Sequence, residues 1–161
     1  MTDRLYRIDA AVLDALSAQA RSAPRLRKNL NLHASETDAC NRLLNALEPG
    51  TYVQPHRHLD PSKDETMLMV RGRLGVVAFH DNGRVAEAVI IEAGGPRPGV
   101  NIPHGLYHAT VCREPGAVFF EAKAGPYRPL APEERAPWAP PEGSPEVAAY
   151  LQALLAQVPV L

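Results

Sequence analysis

Residues 55–65 read Pro-His-Arg-His-Leu-Asp-Pro-Ser-Lys-Asp-Glu, which sets two imidazoles, His56 and His58, one residue apart with three carboxylates behind them. In an extended strand positions i and i+2 project from one face about 7 Å apart, so two such rings can close on one ion. An isolated His-x-His also describes a pair of surface histidines, and the neighbourhood has to decide between the two. Other chemistry-bearing residues lie in Arg-Leu-Arg-Lys-Asn-Leu-Asn-Leu-His at 25–33, in Phe-Phe-Glu-Ala-Lys-Ala-Gly at 119–125, and at Tyr52.

The elements that must position these groups are mostly short strands. From about residue 40 to 122, runs of Val, Leu, Ile, Phe and Ala are broken by Pro-Gly, Arg-Gly, Asn-Gly and Gly-Gly signals every eight to twelve residues, the cadence of antiparallel strands. Expected strands cover 43–47, 52–56, 67–70, 74–79, 85–91, 100–102, 107–111 and 118–122. The pair 74–79 and 85–91 reads as a hairpin closed by Asp81-Asn82-Gly83 in a type I′ turn, and Arg71-Gly72-Arg73 turns 67–70 into the same run. Eight short strands without a long helix between them predict an all-β jelly roll or small barrel.

Helices flank it. Asp9 caps an amphipathic segment through about Arg21, with Val12, Leu13, Leu16 and Ala20 at helical spacing before Pro24. Seven of the 16 prolines lie between Pro126 and Pro145, an extended wrap. Ser144-Pro145-Glu146 then opens a second helix with an apolar stripe of Val147, Tyr150, Leu151, Leu154 and Val158, expected to pack on the barrel or on a second subunit. The organisation is one domain: an N-terminal helix (1–24), a β-barrel (25–125), and a wrap with C-terminal helix (126–161).

The His-x-His segment belongs to a longer pattern, G-x5-H-x-H-x6-E-x6-G from Gly50 to Gly72, and Pro103-His-Gly105-Leu-Tyr-His108 gives P-x-G-x2-H. These blocks resemble the paired motifs of the cupin superfamily, and the strands between them fit its barrel. The resemblance implies a single-domain cupin holding one metal ion with His56, His58, Glu65 and His108. Three imidazoles and one carboxylate suit Zn, Fe, Mn, Ni, Co or Cu as a divalent ion better than Ca²⁺ or Mg²⁺, which prefer oxygen. Open positions on such an ion polarise water or substrate oxygens. The chain departs from the family pattern in two places. Six residues separate His58 from Glu65 instead of three or four, so 59–64 reads as a loop inserted at the barrel mouth and Asp60 or Asp64 competes with Glu65. Arg97 and Cys112 stand where the second motif usually has glycine and asparagine.

The remaining residues carry alternatives. Arg25, Arg27, Asn31 and His33 form a solvated edge strand or gather around an anionic ligand. Tyr52 shares the face of His56 if the strand is regular through Pro55, and then lines the pocket as a donor, unless it is a packing tyrosine. Glu121 and Lys123 are a surface ion pair, or, if inward, Lys123 is an acid or anion clamp. Tyr52, Lys123 and His33 are thus the catalytic candidates, and Arg25, Arg27, Asn31, Tyr52 and Lys123 the substrate-binding ones. His104 is expected to point away from the ion and His80 to sit in a solvated turn. Cys40 and Cys112 lack a CxxC partner and read as buried apolar residues.

Composition bounds the partners. Apolar residues make up 45% and charged residues 22%, with a formal charge of −1 and a pI near 6.6, so no basic surface exists to displace counterions from nucleic acid. No signal-like start and no 18-residue apolar run are seen, which predicts a cytoplasmic protein without membrane contact. A closer resemblance covers about residues 5–140: PRLRKNLNLH, LEPGTYVQPHRHLDPSKDE, RGRLGVVAFHDNGRV, IPHGLYHA and FEAKAGPYRPLAP look like the WbuC family of cupin-fold metalloproteins. That resemblance implies an association with surface-polysaccharide (O-antigen) clusters and no fixed reaction. The expectations are a metal-dependent isomerase or epimerase of a sugar or nucleotide-sugar, a non-haem dioxygenase, or a metal-centred binding protein, in each case as a homodimer.

Overall fold

The computed structural model describes residues 5–159; residues 1–4, where the start was read as carrying no leader, and 160–161 lie outside it. Helix α1 (Ala10–Ser22) begins where Asp9 accepts the Val12 N–H at 3.1 Å and ends at Ala23, which Pro24 forces into extended backbone. Its buried stripe of Leu13, Leu16 and Ala20 lies on the outer face of the larger sheet against Leu44, Ala46 and Val118.

Eight strands follow: β1 (Arg27–Asn31), β2 (Cys40–Leu47), β3 (Glu65–Arg71), β4 (Arg73–Phe79), β5 (Val85–Glu92), β6 (Gly99–Ile102), β7 (Tyr107–Val111) and β8 (Ala117–Ala124). They form a five-stranded sheet in the order β1-β2-β8-β3-β6 and a three-stranded sheet β5-β4-β7, all pairs antiparallel. Met67, Met69 and Phe119 from the first sheet meet Leu74, Val76 and Ile91 from the second in one buried core, as a β-sandwich closing into a barrel requires.

Several expectations change. Residues 52–56 do not form a strand, and 27–31 supplies the eighth strand instead, at the sheet edge. Pro55 has no N–H, and only His56 bridges: it exchanges both backbone bonds with His108, while the Pro55 carbonyl accepts from Ala136. The turn after Phe79 is not type I′. The Gly83 N–H returns to the His80 carbonyl and the positive φ falls on Gly83 alone, giving a type I turn followed by a left-handed glycine. Gly83 is also needed sterically, since a Cβ there would lie 2.7 Å from Trp138. The Gly72 turn carries the chain from one sheet to the other. Cys40 is exposed at the start of β2; Cys112 is buried, and desolvation pushes its thiol up to about 12.

The proline-rich wrap runs across the barrel. Trp138 packs on Phe79 and Tyr107 and donates to the Asp81 carbonyl at 3.1 Å. Helix α2 (Val147–Gln157) starts after Ser144-Pro145-Glu146 with no side-chain cap and seats Leu151 and Leu154, with Val158 beyond them, on Val77, Phe79 and Val111. Leu151, Leu154 and Val158 of the stripe are therefore used within the chain, while Val147 and Tyr150 are partly buried beside them. Among the described residues no helix is long and apolar enough to cross a membrane.

Candidate metal centre

His108 sits in β7 opposite Ala78, and its backbone bridge to His56 draws the 52–58 segment against that strand. The Gly105 N–H, donated to the His58 carbonyl at 2.7 Å, fixes the next turn of chain. Glu65 is the first residue of β3, held between β6 and β8. These placements bring one donor atom from each of His56, His58, Glu65 and His108 within 4.8 Å of one another, with Glu65 and His108 each only 2% exposed.

The ring hydrogen bonds show which nitrogens are free. His56 Nδ1 lies 3.1 Å from the Gln54 carbonyl and His108 Nδ1 3.0 Å from the Leu106 carbonyl. A carbonyl only accepts, so each Nδ1 carries the proton and each Nε2 presents a lone pair. His108 Nε2 is buried with no hydrogen-bond partner. A bare, buried imidazole nitrogen is costly unless something electron-accepting meets it, and backbone-anchored Nδ1–H is the usual support for a metal-binding ring. His58 Nε2 lies 2.9 Å from Glu65 Oε2, a proton-bridged pair whose proton an ion would replace. Opposite ligands on one ion stand about 4.2 Å apart, so the set fits a divalent ion after small side-chain shifts.

The electrostatics agree with neutral rings and an ionised carboxylate. Burial, reinforced by His108, lowers His56 to about 3, and burial also lowers His108. Burial alone would raise Glu65, but Lys123 at 3.3 Å and the His58 bond hold it well below the usual carboxylate range. Lys123 is shared with Glu121 at 2.6 Å, and the two carboxylates outweigh its desolvation and push it up, so it stays an ammonium. Glu121, buried beside the Glu65 charge, is raised despite Lys123 and a 2.7 Å bond from Asn45.

A chamber of about 460 Å³ opens on His56, His58, Lys123 and Asn41, between the 59–64 loop and the wrap at 127–134. Glu134 ties the two rims: its carboxylate accepts the Leu59 and Ala131 N–H groups, and its carbonyl accepts Arg57 N–H. The inserted loop therefore lies at the mouth. Asp60 accepts from Ser62 and Asp64 accepts from His104, so both competing carboxylates are engaged elsewhere and exposed, and His104 faces away from the cluster. His80 is exposed in its turn.

Beside the chamber lies a trough of about 810 Å³ on the inner face of β1, β2 and β8, sharing Asn41, Lys123 and Tyr127 with it. Arg25, Arg27, Asn31 and His33 line this trough rather than the chamber. Arg27 is already held by the Glu142 carboxylate at 2.8 Å and the Tyr52 carbonyl at 2.8 Å, and His33 Nδ1 by the Arg42 backbone. The pocket reading of Tyr52 is corrected. The chain is irregular at Pro55, so strand parity fails, and Tyr52 is buried on the apolar cluster with its hydroxyl donating to the Pro140 carbonyl at 2.8 Å. The surface reading of the Glu121–Lys123 pair is corrected too, since both side chains point inward. Sequence reasoning passed over Asn41 and Asn45; their alternation in Asn-Arg-Leu-Leu-Asn was the available signal.

Residues 8–91, over half the chain, match the family described as Domain of unknown function (DUF6016). The chain belongs to that family. No curated protein matches it. Among solved structures this DUF6016 chain is similar to KdgF from Halomonas sp. (TM-score 0.51, 18% identity, covering 66% of this chain and 85% of that one). It is also similar to a conserved protein of unknown function from Streptococcus pyogenes (TM-score 0.52, 11% identity, 79% and 93% covered). A cupin superfamily protein from Desulfitobacterium hafniense matches likewise (TM-score 0.52, 11% identity, 77% and 93% covered). At these identities the likeness shows the cupin fold alone.

Proposed function

We propose that this DUF6016 chain is a metal-dependent cupin that isomerises or epimerises a sugar or nucleotide-sugar used in surface-polysaccharide (O-antigen) assembly. The observation that carries the metal is the buried, partnerless His108 Nε2, aimed with His56 Nε2 at the Glu65 carboxylate by backbone-fixed Nδ1–H groups. The polysaccharide setting rests on the resemblance of the sequence blocks to the WbuC family. A divalent ion bound there supplies a Lewis acid that polarises a carbonyl or hydroxyl oxygen. The chain supplies the rest: Lys123 holds a fixed ammonium on the chamber wall, the Glu121 carboxylate beside it, made more basic by its burial and by the Glu65 charge, is the group that takes up a proton, and the 59–64 loop with the wrap limits water. Epimerisation passes a proton from one carbon to the Glu121 carboxylate and returns a proton to that carbon, so no co-reactant is consumed.

A second reading, ligand capture without turnover, is favoured by one observation. The cationic wall residue Lys123 is locked between two carboxylates and is not available as a base. Elemental analysis of tag-free protein, with a nucleotide-sugar turnover panel, tests both. The expected result is about one divalent ion per chain, lost by more than about tenfold in His108→Ala and His56→Ala, together with turnover that chelation abolishes. Turnover that survives chelation removes the metal from the mechanism; tight binding without product favours capture.

A further inference from the structure

The inner face of the five-stranded sheet is read row by row across the strands. Asn41, Lys123 and Glu65 stand directly opposite one another on β2, β8 and β3; the next row is Asn31, Leu43, Glu121; the next joins Asn29 to Asn45. Four side-chain amides thus line one trough that runs into the metal-side chamber at Asn41.

Their hydrogen-bond accounts are incomplete. Asn41 is 2% exposed, its side-chain amide makes no hydrogen bond among the described residues, and its Oδ1 is buried without a partner. A half-turn about χ2 exchanges its two ends, so either a donor or an acceptor can face the trough. Asn45 spends Nδ2 on Glu121 and keeps Oδ1; Asn29 spends Nδ2 on Asn31 Oδ1, leaving an acceptor on Asn29 and a donor on Asn31. Buried amides are normally satisfied, and one left open at the junction of two cavities has a missing partner. That partner must both give and accept hydrogen bonds within a few ångströms. A carboxylate or a phosphodiester only accepts, and would leave the Asn oxygens facing it unpaired. A hydroxyl does both, and Leu43 on the floor suits the C–H face of a ring.

We propose that this trough binds a hydroxyl-rich extension of the ligand whose reactive end enters the chamber, read by Asn29, Asn31, Asn41 and Asn45. It rests on the metal-centred reading only for what occupies the chamber. A ligand seated in both spaces passes Asn41 and Lys123, so the natural ligand is longer than a single sugar ring.

The test follows side-chain amide resonances in ¹H–¹⁵N spectra of the full chain, zinc-loaded and metal-free. The probes are glucose, galactose, mannose, maltose, lactose and inorganic phosphate. Sugars are expected to shift the Asn31, Asn41 and Asn45 amides saturably in both forms, with a disaccharide binding about tenfold more tightly than its monosaccharide. Asn41→Leu is expected to weaken this about tenfold while melting temperature and zinc content hold. Asn31→Ala, at an exposed position that cannot unfold the barrel, weakens it as well. The proposal is overturned if phosphate moves the same amides as strongly as sugars, if no sugar moves them, or if both variants bind like wild type. Silent sugars in a protein that retains a divalent ion sink this inference alone; sugar binding by a chain that retains none of Zn, Fe, Mn, Ni, Co or Cu sinks the metal reading alone.

Discussion

Two halves of one sheet face differ sharply in chemistry although their side chains share the same parity. On β3 and β8, where the three-stranded sheet covers the face, Glu65 is followed inward by Met67 and Met69, and Lys123 by Glu121 and then Phe119. On β1 and β2, beyond that cover, the same face carries Asn29, Asn31, Asn41 and Asn45. The difference teaches that the barrel is a core at one end and a polar vessel at the other, with the Glu65–Lys123–Glu121 triad on the border. Apolar burial stabilises the first at about 25 cal/mol per Å²; the second is held by matched charges and leaves polar groups open.

The border is the place to break that comparison. Lys123→Met leaves Glu65 and Glu121 buried and facing each other without a cation, and in metal-free protein should cost about 3–5 kcal/mol by urea unfolding. A loss under about 1 kcal/mol would mean the two carboxylates share a proton instead. Adding Glu121→Gln should recover part of the loss, and the double-mutant cycle gives the coupling. On the apolar side, Leu74→Ala at a 1% exposed site should cost about 2–5 kcal/mol with metal content unchanged. Loss of metal in that variant would show that the two ends are not separate.

Legibility in the sequence follows the same border. Strand positions, the N-terminal cap and the apolar stripes were readable because alternation and helical spacing are local properties of the chain. His56, His58, Glu65 and His108 were found through motif spacing, and their meeting depends on a backbone bridge between residues more than fifty positions apart, which no local pattern contains. Tyr52 was ambiguous between pocket and core because Pro55 breaks the regularity on which face parity depends, and the packing alternative is the one the structure holds. Lys123 and Glu121 were ambiguous because E-x-K alternation reads identically on an inner or outer face until the register of β8 against β2 and β3 is known. The Asn rows are invisible for the same reason: cross-strand register, unlike strand period, is set by the whole sheet.

Acid supplies the gentlest probe of the two halves, because the buried histidines whose protonation folding suppresses, His56 and His108, lie in the polar one. His56, at about 3 in the folded metal-free protein, and His108, also lowered, are buried neutral and regain their ordinary values near 6.5 on unfolding. The unfolded chain then binds more protons than the folded one. The stability these rings contribute is fully present above about pH 6.5 and is lost as pH falls through the lowered value of each ring, by about 1.4 kcal/mol per pH unit for each proton taken up. Glu121 works against this: its raised carboxyl is protonated earlier in the folded state, which adds stability as pH falls through its raised value. Two histidines against one carboxyl leave a net loss, so chemical denaturation of metal-free protein at pH 7 and pH 5.5 should show a drop of about 1–2 kcal/mol. His108→Leu should flatten that slope while Leu74→Ala shifts the whole curve without changing it. Parallel slopes in wild type and His108→Leu would place the pH sensitivity outside the cluster and dissolve the distinction between core and vessel.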